Sequence, residues 1–209
     1  MKPSLPAGSP PSPDFLPTLP EIGRYFTGAW RLMAGDRRGL DRFDLSADGF
    51  WRSFAALVVA LPPTALSWLE FERVERGFSA ASPVTALAAH ALADLTAWLL
   101  PLFLVGIAAR HIGFERRMVP FVVAVNWGGA FLTWVFSPFF VLLLVGGPSE
   151  LTQVLGLVIA LLSIGLTVRL IAVATNCDIP LAIAIVTMMI FVSLLSFAAV
   201  SDLFGVAVG

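Results

Sequence analysis

The amino-acid sequence predicts an all-α integral membrane protein: a bundle of five transmembrane helices preceded by an amphipathic interfacial helix. Three observations carry that prediction. Of 209 residues, 58% are hydrophobic and only 13% charged, against roughly 45–50% apolar and about 25% charged in a soluble domain. The apolar residues gather into five runs, each long enough for the ~20-residue helix that crosses a bilayer. The basic residues are unevenly placed: six of 13 precede residue 50, and residues 121–168 hold none.

Residues 1–20 contain seven of the 15 prolines. Proline removes backbone donors and resists helix formation, so a disordered or extended tail is expected, serving as a linker or as a Pro-rich ligand. The opening Met1-Lys2-Pro3-Ser4-Leu5-Pro6 has no apolar run and does not read as a signal peptide. The first span is therefore expected to direct insertion.

Residues 21–49 form the next unit, an amphipathic helix and a charged connector. Ile22, Tyr25, Phe26, Ala29, Trp30 and Met33 recur at helical spacing and make one apolar face, with Arg24 and Arg31 off it. Such a helix suits the headgroup layer; the alternative is that the stripe packs on the protein's own loops. Asp36, Arg37, Arg38, Asp41, Arg42, Asp44 and Asp48, broken by glycines, then read as a surface connector, with Ser46 or Asp48 as the N-cap of the first span.

The transmembrane domain covers residues 50–204, with spans expected at about 50–69, 83–109, 119–145, 151–174 and 179–204. The first carries Pro62 and Pro63 near its middle. The third is long, since 27 residues at ~1.5 Å make ~40 Å against ~30 Å of hydrocarbon. Tilt, or a kink at Pro138, is expected to absorb the excess. Gly146-Gly147-Pro148 and Asn176-Cys177-Asp178 before Pro180 signal tight turns, so successive helices should be antiparallel neighbours.

Loops rich in Lys and Arg stay in the cytoplasm. With the N-terminus inside, Lys2, Arg24, Arg31, Arg37, Arg38, Arg42, Arg52, Arg110, Arg116, Arg117 and Arg169 lie inside, and only Arg73 and Arg76 outside. This places Gly209 on the far, periplasmic side. Trp51, Trp68 and Trp134 are expected near the interfaces, which favour amphipathic rings.

Asp94 is the most informative residue. It falls near the middle of the second span, where an ionised Asp costs ~2.5–3.5 kcal/mol. His90, one turn away, shares its face. The pair reads either as a proton or ion relay or as a hydrogen-bonded packing device. Two ligands do not make a metal site, so no metal and no cofactor is expected. Arg169, near the cytoplasmic end of its span, is read first as snorkelling to the headgroups, and second as a candidate intramembrane polar contact with Asn126, which matches it in depth. Gly156 with Ala160, and Gly129 with Thr133, are small-xxx-small pairs that let helices approach closely. No phosphate-binding loop, H-E-x-x-H or G-x-S-x-G occurs, so no enzyme is expected, nor a nucleic-acid partner.

A Pro-rich, partly amphipathic segment followed by five spans with short loops resembles, in architecture over residues 21–204, the Yip-domain membrane proteins of bacteria. The resemblance implies a bacterial inner-membrane protein that organises membrane or binds partners, and it carries no functional residue across. Two functions are expected from the sequence. One is a membrane scaffold or accessory protein that binds lipid, other membrane proteins or itself. The other is a small transporter or channel using His90 and Asp94 for proton or cation transfer.

Overall fold

The computed structural model of the chain describes residues 16–75 and 82–205. Residues 1–15, residues 76–81 with Arg76, and residues 206–209 with Gly209 lie outside the described residues. The described residues are all helix and loop: α1 (Leu19–Met33), a 3-10 turn (Arg37–Arg42), α2 (Ala47–Arg52), α3 (Ala55–Glu75), α4 (Pro83–Ala108), α5 (Met118–Gly146), α6 (Glu150–Thr175) and α7 (Ile179–Phe204). Five helical stretches are long and apolar enough to cross a membrane, and their bounds fall within a few residues of the five expected runs. The first is broken: α2 ends at Arg52 and α3 begins at Ala55, so the run that starts at Phe50 is two helices.

Local chemistry sets the ends. The Oγ atoms of Ser46, Ser82 and Ser149 accept backbone N–H groups of Gly49, Thr85 and Thr152 and so start α2, α4 and α6. Asn176 closes α6 in the left-handed region at φ 51°. Proline comes next at position 180, in the first turn of α7.

The bundle is organised around the first half of α5. Every residue from Phe121 to Gly128 is buried, so this stretch is enclosed on all faces, by α3 on one side, α6 on another, and α1 and α2 at the arginine-rich end. The second half of α5 and the first half of α6 carry most of their large apolar side chains on the outside. The arginine-rich half of α5 is thus clothed by protein, with α1 and α2 packed against it.

The apolar stripe of α1 is turned inward. Tyr25, Ala29, Leu32 and Met33 are buried in the main core. Tyr25 lies 4.4 Å ring to ring from Trp127, and Phe26 and Trp30 pack on Phe131. Ile22 and Phe26 are half-buried against the same core, and of the stripe Trp30 alone stays exposed. This corrects the expectation of a lipid-facing surface helix: the stripe is spent on α5 and α6, the protein-contact alternative. The charged connector is also more than a surface loop. It folds back on α1 as the 3-10 turn, buries Phe43 and brings Gly39 onto Gly28, where a Cβ on Gly39 would stand 2.5 Å from the Gly28 carbonyl oxygen. Only glycine permits that approach.

Proline appears inside three spans, as Pro62, Pro63, Pro101 and Pro138, and at the last three of these a side chain replaces the missing amide. Pro63, Pro101 and Pro138 lack the N–H that would bond the carbonyls of Val59, Ala97 and Trp134. Trp134 Nε1 on α5 donates to Val59 at 2.8 Å, Ser193 Oγ on α7 to Ala97 at 3.1 Å, and Ser137 Oγ to Trp134 at 2.8 Å. In hydrocarbon an unsatisfied carbonyl costs several kcal/mol, so these donors are what allows the prolines there. Two of them tie different helices together.

Candidate functional site

Three tryptophans link α3, α4 and α5 in a closed ring of donors. Trp68 Nε1 on α3 donates to Asp94 Oδ2 on α4. Trp98 Nε1 on α4 donates to Asn126 Oδ1 on α5 at 2.9 Å. Trp134 Nε1 on α5 returns to Val59 on α3. Trp68, half-buried, and Trp134, 43% exposed, are therefore structural donors between helices. Trp51 is 66% exposed at the start of the first span.

Beside this ring lies a cavity of about 400 Å³ lined by all five long helices. Its polar wall consists of Asp94 with the hydroxyls of Thr64, Ser67, Thr133 and Thr167; Trp98, Phe140, Leu170 and Met189 are the bulky apolar part. Each of these polar residues is well inside its helix: Thr64 and Ser67 in α3, Asp94 in α4, Thr133 in α5, Thr167 in α6. Gly128 and Gly129 leave room on α5. A Cβ on Gly128 would stand 3.0 Å from Leu170 and 3.4 Å from Met33 of α1, and one on Gly129 3.3 Å from the Trp98 ring. Gly156 likewise faces the Phe139 ring. The glycines of the small-xxx-small pairs make space for neighbouring side chains, not for a bare helix-to-helix approach.

The direction of the hydrogen bonds defines the cavity's chemistry. A hydroxyl has one hydrogen to give and two lone pairs to receive with. Here every hydrogen is spent on a carbonyl of the hydroxyl's own helix: Thr64 on Ala60, Ser67 on Thr64, Thr133 on Gly129, Thr167 on Ser163, at 2.7–2.9 Å. The indole hydrogens of Trp68 and Trp98 are spent on Asp94 and Asn126. The wall therefore offers an occupant lone pairs: a carboxyl group and four hydroxyl oxygens.

The residues singled out from the sequence separate. Asp94 lines the cavity and His90 does not. His90 is 3% exposed, on the stripe of α4 that carries the buried Ala86, Ala89 and Ala93. Residues four apart on a helix still differ by about 40° in direction. On α4 that difference sends one side chain to the cavity and the other into a packed seam. Asn126, fully buried, donates from Nδ2 to Ser53 Oγ at 2.9 Å and its Oδ1 accepts from Trp98 on the other side. Arg169 donates from Nη2 to the carbonyl of Ala34 at 2.9 Å. The expected Asn126–Arg169 contact is thereby corrected: Asn126 is committed to α4 and Ser53. Arg169 closes the C-terminal end of α1, where Gly35 at φ 91° lets the guanidinium approach. A guanidinium near a helix C-terminus also meets the negative end of its dipole.

Sequence reasoning missed the four hydroxyls and the Trp68 partner of Asp94. Their signal was present: Thr64 and Ser67 lie one turn apart in the first run, Thr133 is the one threonine of the third, and Thr167 lies well inside the fourth. Polar residues inside apolar spans mark pathways or packing. Among the described residues no three of His, Cys, Asp and Glu gather into a metal-binding group. Comparison with protein-family models, curated proteins and solved structures gives no match, so the functional reading rests on this site alone.

Proposed function

We propose that the protein is a small transporter or channel whose central cavity takes a proton or a monovalent cation at Asp94. The observation that supports it is the donor accounting of the cavity wall: one carboxyl group and four hydroxyl oxygens whose hydrogens are already committed. A wall of acceptors attracts a positive or proton-donating occupant and repels an anion. The scaffold reading drew on a surface helix, together with the short loops and the absence of catalytic motifs. With the α1 stripe spent inside the bundle, the cavity favours the transport reading. His90 is outside the cavity, so the relay is assigned to Asp94 with Thr64, Ser67, Thr133 and Thr167 as neutral ligands.

The proposed setting is a bacterial inner membrane with the arginine-rich end in the cytoplasm, in keeping with eleven basic residues against two. A reporter active only outside the cytoplasm and fused at Gly209 is then active; a silent one reverses the orientation.

The function is tested by reconstituting the purified protein in liposomes with an entrapped pH dye and an imposed potassium potential. Wild type is expected to pass protons or the added cation, and Asp94→Asn to lose at least tenfold in flux while keeping its helical spectrum. Thr133→Val is expected to fall between them. A folded Asp94→Asn with wild-type flux defeats the proposal.

A further inference from the structure

A second opening lies at the arginine-rich end, on the outer surface where α2 and α3 meet α4 and α5. It is a groove of about 740 Å³. One wall is the aromatic cluster of Phe50, Trp51 and Phe54, with ring centroids 5.1–6.1 Å apart. The other is α4, with Phe103 64% exposed and Ile107 56% exposed toward the groove's side of the helix. Gly106 forms part of its lining. A Cβ there would meet only Met118 Cε, at an ordinary 3.7 Å, so the groove is open above it. At the mouth, just past the end of α4, stand Arg110 and His111. Arg110 pairs with Glu115 at 3.1 Å, and Arg116 and Arg117 follow Glu115 in the next turn of the chain.

We infer that this groove is a binding site for an anionic phospholipid, with an acyl chain against Phe54, Phe103 and Ile107 and the phosphate against Arg110 and His111. Depth and charge agree on this occupant. The apolar part belongs to a helix long enough to span, and the cationic part begins where that helix ends. Basic pockets between helices on the cytoplasmic side are suited to anionic headgroups, each basic residue near the surface contributing about 1 kcal/mol, or about fivefold in affinity. Trp51 stands at the boundary where amphipathic rings concentrate. The site is independent of the Asp94 cavity, whose lining shares no residue with it.

The test is native mass spectrometry of the full chain released from micelles holding equal phosphatidylglycerol and phosphatidylcholine. One retained lipid is expected, with phosphatidylglycerol preferred about fivefold or more. Arg110→Gln together with His111→Gln is expected to erase the preference. Gly106→Leu, which fills the groove, is expected to remove retention of both lipids. Equal retention of the two lipids by wild type overturns the inference, and so does undiminished retention by a folded Gly106→Leu. If Gly106→Leu fails to fold, the double substitution decides alone: an unchanged preference for phosphatidylglycerol overturns the site.

Discussion

Trp134→Phe isolates a hydrogen bond that exists because of a proline. The substitution keeps an aromatic ring between α5 and α3 and removes the one hydrogen that Val59 receives, at 2.8 Å, in place of the amide that Pro63 lacks. Hydrogen bonds between helices in a bilayer average about 0.6 kcal/mol and reach about 1.7. The carbonyl left behind has no helical donor, which places this case toward the upper end, at about 1–2 kcal/mol. Pro63→Ala restores an amide able to close the ordinary bond to Val59. In that background Trp134→Phe should cost less than about 0.5 kcal/mol, a coupling of about 1 kcal/mol. Pro63 is fully buried, so Pro63→Ala carries its own packing loss, which cancels in the double-mutant cycle. The four proteins are compared by SDS titration in mixed micelles, monitored by circular dichroism so that loss of an indole does not alter the probe. Equal cost of Trp134→Phe in both backgrounds refutes the compensation argument, however large that cost is.

Three further outcomes are expected. Asn126→Leu removes two hydrogen bonds and leaves the Trp98 indole N–H unpaired, and should destabilise by about 1–3 kcal/mol in the same titration; a loss under about 0.3 kcal/mol would contradict its place in the core. Arg169→Ala frees the Ala34 carbonyl, and amide exchange over residues 19–34 should quicken roughly three- to tenfold, a modest figure because the guanidinium is exposed. The third concerns acid. Backbone and side-chain hydrogen bonds from Thr18 hold the Glu21 carboxyl below its usual range, and those from Ser46 do the same for Asp44. A lowered folded value gives a stabilisation present above the ordinary carboxylate range near pH 4 and lost as pH falls through it. Exchange over α1 and α2 should therefore rise below about pH 4, and Asp44→Asn should flatten part of that rise.

The five runs were legible because helix length and hydrophobicity act within one segment: Pro83, Pro180 and the turn at Asn176 fell where they were expected. Asp94 was legible too, because a carboxyl group at mid-span is costly wherever it points. Its partner was not. Spacing puts His90 near it along α4, but the donor comes from Trp68, 26 residues earlier on another helix. Which face meets which neighbour is set by packing across the bundle, and no periodicity within one segment records it. The same limit hid the inward turn of α1. An amphipathic stripe states that one face leaves water, and it reads identically whether lipid or Trp127 receives it.

That ambiguity has a counterpart in time. The carbonyl of Ala34 and the guanidinium that donates to it are 135 residues apart, a gap that takes roughly 7–27 s to synthesise at ~5–20 residues per second. α1 leaves the ribosome first, and α6, one of its two long partners, is fourth of the five long helices to be made. Until then Ile22, Tyr25, Phe26 and Met33 have no complete protein surface to cover them, and the headgroup layer is the nearest place that accepts such a face. In the finished chain the same helix is an internal brace on α5 and α6. Docking becomes a late, order-dependent step of assembly, and a chain truncated before α6 should leave its N-terminal helix on the lipid.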